Sequence, residues 1–172
     1  CVMLSGETAS GKYPVEALQT MIDTVTAAEG SINYWNRFRQ RHVLTGIQGI
    51  NDAITHTCCL TAKDLEAKAI LAATNSGRTA RMICRFRPAC PVAALTMHEK
   101  VRRQLAICWG VIPFLTGEVT STDRIFSLSA EVALKERLVQ NGDTVVITAG
   151  VPLGKSGSTN LIKAAIVNEE LM

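Results

Sequence analysis

Two short stretches of the sequence combine glycine with hydroxyl side chains, a combination typical of sites that hold a phosphate group. The first, TNSGRT, covers residues 74–79, and the second, GVPLGKSGST, covers residues 150–159. In such turns glycine lets the backbone approach an anion closely, hydroxyl groups donate hydrogen bonds to its oxygens, and cationic side chains supply the opposite charge. The two turns therefore predict an anion site.

Each turn supplies several groups that suit a phosphate. The predicted binding residues are Thr74, Asn75, Ser76, Gly77, Arg78 and Thr79 in the first turn, and Lys155, Ser156, Gly157, Ser158 and Thr159 in the second. A simpler interpretation stays open from the residues alone, in which Ser76 caps a helix and Gly157 serves a hairpin turn.

The elements that must position these turns are visible as four apolar runs. AILAAT, PVAALTM, VIPFLT and TVVITAG are separated by helix-like patterns that begin near Gly77, Glu99 and Thr122. This alternation predicts an α/β fold with a largely parallel sheet covered by helices. A fifth run, STNLIKAAIV, follows after a connection too short for a crossover helix, which predicts an antiparallel hairpin and a mixed, mainly parallel five-stranded sheet. If the first and fourth strands are neighbours, both turns leave the same carboxyl edge, where open α/β sheets bind ligands.

The part of the chain before the sheet is predicted to be helical. Residues 14–29 place apolar side chains three or four positions apart, which predicts an amphipathic helix that ends near Gly30. Residues 31–47 are aromatic and basic and predict a short helix or a linker. A second helix is expected from about Gln48 to Ala62.

Size and charge favour a globular chain without a nucleic-acid or membrane partner. The 172 residues are 47% hydrophobic, enough to bury a core in one ordinary domain with a small appendage. The net charge is +3, and the 18 Lys and Arg residues are scattered rather than gathered in one tract. No apolar run reaches the roughly 18 residues of a membrane span, and no targeting segment is recognisable, so we expect a cytoplasmic protein.

The cysteines and histidines show no pattern typical of chemistry. The six cysteines form no C-x-x-C pair, and no histidines stand at metal-ligand spacing, so we predict no metal site in this chain. We expect the cysteines to act as small buried hydrophobic residues. A thiol-redox protein is a weaker alternative, because it needs a reactive cysteine. His42, His56 and His98 are each predicted at the surface or at a helix cap.

The N-terminal stretch resembles a known enzyme family. CVMLSGETASGKYPVEA, residues 1–17, is similar to the segment that ends the catalytic barrel of pyruvate kinase, where the last barrel strand turns into its helix. Downstream, ATNSGRTARMICRFRPACPVAALT, GVIPFLT and NGDTVVITAGVPLGKSGSTN resemble the C-terminal domain of that enzyme. The resemblance covers essentially the whole chain and is to bacterial-type members.

The resemblance implies a division of the chain into two parts. Residues 1–30 correspond to the last strand end and helix of a TIM-type (β/α) barrel, and residues 31–172 to the C-terminal α/β allosteric domain. Because the sequence starts within a barrel strand, we expect a fragment, a cleaved chain or the ordered remainder of a longer enzyme.

The resemblance also implies an activity for the whole enzyme. The family transfers a phosphoryl group from phosphoenolpyruvate to ADP, giving pyruvate and ATP in glycolysis, and uses magnesium or manganese, potassium, a charge-stabilising lysine and acidic metal ligands. No segment here resembles those parts or the lid domain, so we expect the metals to bind outside this chain and the chain alone to be inactive. The expected partners are the remainder of the enzyme chain and other copies in a homotetramer.

One residue of the barrel segment has an implied catalytic role. Ser5, in MLSGETA, matches a family serine at the barrel mouth that is linked to the proton path to the enolate carbon. A hydroxyl is a weak acid, so the role predicted for Ser5 is an indirect relay through ordered water. A purely structural role at the strand end stays open.

The two glycine-containing turns match the family's allosteric site. In relatives, the turn at residues 74–79 binds a phosphate of the activator, often fructose 1,6-bisphosphate, and the turn at residues 150–159 closes over it. Arg124 is the one candidate here for a second phosphate. A bisphosphate, a sugar monophosphate such as ribose 5-phosphate and a nucleotide monophosphate all stay open. So does a rival function, a free-standing sugar-phosphate-binding module that senses metabolites without catalysis.

Overall fold

The chain divides into two compact units. The computed structural model describes residues 2–45, 49–153, 157–168 and 171, with the backbone alone for residues 41–45. Its contacts separate Cys1–Asn33 from Tyr34–Met172. The sequence places the boundary slightly earlier, between residues 30 and 31.

The first unit is helical. It contains α1, Gly6–Ala9, and α2, Pro14–Gly30. Pro14 occupies the first turn of α2, where its fixed φ suits the helix and its missing N–H costs nothing. The apolar side chains of Leu18 and Ile22 stay exposed, at 51% and 48%. Residues 2–5 have no regular secondary structure, since a strand needs a hydrogen-bonded neighbour.

The second unit alternates helices and strands, as the apolar runs predict. Its elements are α3 Tyr34–Thr45, α4 Ile50–Asp64, β1 Ala69–Ala73, α5 Arg78–Phe86, β2 Val92–Thr96, α6 Glu99–Leu105, β3 Val111–Leu115, α7 Thr122–Lys135, β4 Thr144–Gly150 and β5 Thr159–Ile166. None of the helices in the described ranges is long and apolar enough to cross a membrane.

The five strands form one sheet in the order β3-β2-β1-β4-β5. β1 lies parallel to both β2 and β4, so that Ile70 pairs with Val92 on one side and with Val146 on the other. β5 is antiparallel to β4. The predicted mixed sheet, the closing hairpin and the adjacency of the first and fourth strands are confirmed. The carboxyl ends of β1 and β4 therefore meet at one edge.

Helices cover both faces of the sheet. Ile70 packs with Ile83 and Phe86 of α5 on one face, whereas Leu71 packs with Ile125 of α7 on the other. Ile70 and Leu71 are fully buried, and each contributes about 1.5–3 kcal/mol through burial of its side chain. β1 is therefore apolar at every position, as expected of a central parallel strand.

The histidines whose side chains are described differ in part from the prediction, and the side chain of His42 lies outside the described residues. His56 stacks on Phe38 with ring centroids 4.8 Å apart and meets Phe86 edge-on at 5.3 Å, so it belongs to an aromatic cluster rather than to the surface or a cap. The imidazole ring carries polar nitrogens at its edge, but its flat face packs well against aromatic neighbours. His98 is exposed and stands at the N-cap of α6 without a side-chain capping bond.

The cysteines are buried to different extents. Cys58 and Cys59 are fully covered, which confirms the prediction for them, and Cys84, Cys90 and Cys108 are half-buried. Burial raises the pKa of the Cys58 thiol to about 12 and that of Cys90 to about 11. Cys59 and Cys90 line a cavity of about 580 Å³ near the amino ends of β1 and β2.

Candidate functional site

A cavity of about 350 Å³ opens at the carboxyl edge of the sheet. It is lined by residues from both glycine-containing turns, which the adjacency of β1 and β4 brings together. The predicted residues among its lining are Thr74, Asn75, Ser76, Thr79, Gly157, Ser158 and Thr159. Gly77 and Arg78 adjoin the lining, and Lys155 and Ser156 lie outside the described residues.

The first turn is held in place by its backbone. The N–H of Thr74 donates to the carbonyl of Leu95 at 2.9 Å, which fixes the exit from β1 against β2. Gly77 has φ 76° and forms the N-cap of α5. Ser76 is therefore not the N-cap residue, and its carbonyl instead accepts a hydrogen bond from Arg81 Nη2 at 2.6 Å.

Gly77 also stands where an added Cβ would crowd neighbouring side chains. A Cβ at this position would lie 3.0 Å from Arg81 Nη1, 3.1 Å from Val101 Cγ1 and 3.2 Å from Leu105 Cδ2. Positive φ and close neighbours together explain glycine here. The first N–H groups of α5 follow directly, and the N-terminus of a helix favours anions.

The second turn is joined to the first by side chains. The hydroxyls of Thr79 and Thr159 are 2.6 Å apart in a buried position. Asn51 Nδ2 donates to the Gly157 carbonyl at 2.5 Å, which links α4 to the same turn. A Cβ placed on Gly157 would lie 3.9 Å from Arg78 Nη1, so the Arg78 guanidinium lies beside the second turn.

Close packing also ties the two ends of the second turn together. A Cβ on Gly150 would lie 2.5 Å from Ser158 Oγ and 3.0 Å from the Ser158 carbonyl. The backbone at Gly150 therefore approaches Ser158 as β4 gives way to the turn. Residues Gly150, Ser158 and Thr159 all line the cavity.

The opposite wall was not predicted from the sequence. It is supplied by the ends of β2 and β3 and by α7, with Thr96, Thr116, Glu118, Ile125, Leu128 and Ser129 among its members. The signal present in the sequence was the helical spacing of Ile125 and Ser129, which puts both on one face of α7.

Arg124 is occupied by other groups. Its guanidinium pairs with the Glu131 carboxylate at 2.5 Å and donates to Ser127 Oγ at 3.0 Å. The hydrogen bond that the Arg124 guanidinium donates to the Glu131 carboxylate raises the pKa of Arg124. Arg124 is not among the lining residues described for the cavity, so the structure does not bring it to the predicted phosphate site.

Ser5 lies in the first unit and is exposed. Its N–H donates to Glu7 Oε2 at 2.9 Å, and its carbonyl accepts from the N–H of Ala9 at 2.9 Å. Hydrogen bonds from the main-chain N–H groups of Glu7 and Ser5 lower the pKa of the Glu7 carboxyl. These bonds shape the start of α1, and the proton relay through Ser5 stays a prediction.

The described residues do not fit a metal ion. Within the ranges that the structure covers, no three His, Cys, Asp or Glu side chains come together as a possible ligand set. Divalent ions are held by converging carboxylate, carbonyl and imidazole groups. We therefore derive no metal-dependent step from the residues of this chain.

Comparison with known proteins gives a consistent match. Residues 52–165 match the family model described as pyruvate kinase, alpha/beta domain. The pyruvate kinase of Clostridium acetobutylicum is 45% identical over 166 residues, which cover 96% of this chain and 35% of that protein. That of Geobacillus stearothermophilus is 41% identical over 170 residues, covering 99% of this chain and 29% of the relative.

Solved structures agree with the sequence comparison. A pyruvate kinase from Cryptosporidium parvum superimposes with a TM-score of 0.86 at 31% identity, covering 98% of this chain and 33% of that one. A second structure of the Cryptosporidium parvum enzyme, in complex with ADP, gives a TM-score of 0.82 at 32% identity. The chain spans about a third of the length of these relatives. By sequence and by fold, it belongs to the pyruvate kinase family and contains that family's C-terminal α/β domain.

Proposed function

We propose that Tyr34–Met172 forms the regulatory domain of a pyruvate kinase and binds a phosphorylated effector in the cavity at the carboxyl edge of the sheet. The observation that carries the proposal is the convergence of two hydroxyl-rich turns, joined by the 2.6 Å contact between Thr79 and Thr159, on one cavity. Open α/β sheets bind ligands at such an edge.

The chemistry of the first turn suits a phosphate monoester. Ser76 and Thr79 supply hydroxyls, Gly77 allows close backbone approach, and α5 presents its free N–H groups. The Arg78 guanidinium beside Gly157 adds a positive charge between the two turns. The ligand class is therefore a sugar phosphate or a nucleotide monophosphate.

The catalytic step belongs to the whole enzyme. We propose that it transfers a phosphoryl group from phosphoenolpyruvate to ADP, with magnesium or manganese and potassium bound by parts outside this chain. In that enzyme Ser5 relays a proton through water. The cytoplasm is the proposed location, and a homotetramer is the proposed assembly, with residues 31–62 contributing to a subunit contact.

The effector proposal is tested by the thermal stability of a Ser76→Asp variant. The new carboxylate stands where phosphate oxygens are expected, next to a helix start that tolerates negative charge, so folding survives while phosphate is repelled. A ligand at one hundred times its dissociation constant stabilises the folded state by about 2.7 kcal/mol, which raises the melting temperature by a few degrees.

Fructose 1,6-bisphosphate, ribose 5-phosphate and AMP are compared on the parent chain and on Ser76→Asp. Thr57→Asp, at an exposed position of α4, makes the same charge change away from the cavity and serves as control. At least one ligand is expected to raise the melting temperature of the parent and of the control but not that of Ser76→Asp. Equal rises in all three proteins would mean that the phosphate binds elsewhere. No rise in the parent would contradict effector binding.

The rival function, a sugar-phosphate sensor without catalysis, is separated by a second measurement. The mass of the intact protein, or the coding sequence upstream of Cys1, shows whether a catalytic barrel precedes this domain. A preceding barrel supports the enzyme, and its absence supports the free-standing sensor.

A further inference from the structure

A buried hydroxyl on α7 has no hydrogen-bond partner among the described residues. Ser129 is 1% exposed, its Oγ is unpaired, and it lines the cavity at the carboxyl edge. A serine within a helix commonly bonds to a carbonyl of the preceding turn. Ser127 does so, through the carbonyl of Arg124, but Ser129 does not. A buried unpaired hydroxyl costs free energy, so its presence in a cavity wall points to a ligand.

The surroundings of Ser129 are mostly uncharged. Ile125 and Leu128 of α7 line the cavity beside it, and they provide an apolar surface on which a ring can rest. Thr96, at the end of β2, contributes a second hydroxyl to the lining and is 2% exposed. The Thr96 hydroxyl accepts a hydrogen bond from the N–H of His98 at 3.3 Å, whereas the Ser129 hydroxyl has no partner among the described residues. This wall therefore combines apolar contact with one unpaired hydroxyl group.

The charge of this wall disfavours a second phosphate. Glu118 is the one charged residue in the lining described for the cavity, and it is negative. Arg124, the cationic residue nearest to Ser129 in the sequence, is paired with Glu131. Glu118 belongs to the same wall as α7, so its carboxylate would repel a phosphate bound there, and the end of the ligand next to α7 must be neutral.

We infer that the Ser129 hydroxyl forms a hydrogen bond with a neutral hydroxyl group of the ligand whose phosphate is bound by residues 74–79. A serine O–H both donates and accepts, which matches a sugar hydroxyl. The ligand is then a monophosphate with a free hydroxyl at its far end rather than a bisphosphate. This inference rests on the proposed effector function and assigns to Ser129 the role of a specificity-determining residue.

The test replaces Ser129 by alanine in the intact protein. Ala130 and Ala133 are fully buried on the same helix, so alanine suits this environment, and removing an unpaired hydroxyl does not lower the melting temperature. Loss of one hydrogen bond predicts about tenfold weaker binding of ribose 5-phosphate by isothermal titration calorimetry. Ser127→Ala makes the same change on α7 outside the cavity lining and is expected to bind like the parent.

Inorganic phosphate separates this inference from the proposed function. It has no distal hydroxyl, so its binding is expected to be equal in the parent and in Ser129→Ala and lost in Ser76→Asp. If ribose 5-phosphate binds the parent and Ser129→Ala equally, the role of Ser129 is refuted while the effector site stands. Tighter binding of fructose 1,6-bisphosphate than of ribose 5-phosphate also refutes it. If the parent binds neither sugar phosphate nor phosphate, both proposals are wrong.

Discussion

The hydroxyl oxygens of Thr79 and Thr159 lie 2.6 Å apart and join the start of α5 to the start of β5. Both residues are nearly inaccessible to solvent, at 6% and 3% exposure. Each buried hydroxyl therefore satisfies the hydrogen-bonding requirement of the other. This bond connects the first turn of the cavity to the second.

Breaking this bond from either side is predicted to destabilise the second unit. Thr79→Val or Thr159→Val leaves the remaining hydroxyl buried and unpaired, which costs about 1–3 kcal/mol. The double variant removes both polar groups and is expected to lose about 1 kcal/mol less than the sum of the single variants. Urea denaturation of the four proteins measures this coupling, and additive losses would contradict it.

Replacing Gly77 by alanine is predicted to destabilise the fold by more than backbone strain alone. Gly77 and Gly110 have φ of 76° and 66°, so alanine at either pays about 1–2 kcal/mol for the left-handed conformation. Only at Gly77 does the added Cβ crowd Arg81, Val101 and Leu105, whereas Gly110 has nothing within 4 Å. Chemical denaturation of Gly77→Ala and of the matched control Gly110→Ala tests the difference. Equal losses would show that crowding is unimportant.

Stability is predicted to fall as the pH rises above about 9. Burial raises the pKa of Cys58 from 9.0 to about 12 and that of Cys90 from 9.0 to about 11, so above pH 9 the unfolded chain releases protons that the folded chain keeps. The contribution of these two protonated, buried thiols to the free energy of unfolding is complete below pH 9. It is lost progressively as the pH approaches 11 to 12. Urea midpoints at pH 8, 9 and 10 give the slope, and a flat profile would contradict the burial of these thiols.

The same raised pKa values predict slow alkylation of the native thiols. At pH 8 the reactive thiolate form of Cys58, Cys59 and Cys90 is suppressed, so iodoacetamide labels them much more slowly in the folded chain than in urea. Mass spectrometry of digested protein follows each site. Rapid labelling of one of these cysteines in the folded chain would contradict this prediction and would support the alternative of a thiol-redox protein.

The isolated 172-residue chain is predicted to form no ATP from phosphoenolpyruvate and ADP. The charge-stabilising lysine and acidic metal ligands of the reaction are expected outside it, and its described residues bring together no set of three metal-ligating side chains. A coupled assay with magnesium and potassium present measures the rate. Turnover by the purified chain would contradict our placement of the catalytic residues.

A charge on the exposed start of α4 is predicted to weaken the assembly of the full-length enzyme. Ile50 is 72% exposed at the first position of this helix, where glutamate suits the helix dipole and leaves folding intact. Ile50→Glu is expected to shift sedimentation from the proposed tetramer toward smaller species. Ile107→Glu, at a residue 80% exposed outside residues 31–62, is the control. Unchanged sedimentation of Ile50→Glu would count against this contact.

The sheet could be predicted because its signals are local. Continuous apolar runs such as Ala69–Ala73 report burial on both faces, and the short connection before β5 excludes a crossover helix. Gly77 and its hydroxyl neighbours marked the first turn by composition alone. These features depend on residues close together in the sequence, so a single chain reveals them.

The α7 wall and the aromatic cluster could not be predicted in the same way. Ser129 joins the cavity because α7 crosses the sheet near the end of β1, and His56 meets Phe38 because α3 and α4 pack on the same face. Helical spacing places Ser129 on the same face of α7 as Ile125, but it does not show that this face lines a cavity. Arg124 was a candidate for binding a second phosphate, but it pairs with Glu131, about two turns further along the same face of α7. That pairing depends on side-chain geometry, which the sequence does not show.

The strand order has a consequence for how the chain is made. β1 pairs with β2, which follows it closely in the sequence, but its other edge pairs with β4, which is synthesised much later. Ile70 can therefore pair with Val146 only after residues 74–145 have been synthesised. Pairings this distant in sequence slow folding, and a chain emerging from the ribosome exposes the apolar edge of β1 until β4 arrives. Chaperone binding during synthesis is expected to concentrate in this interval, and chains truncated before β4 are expected to aggregate.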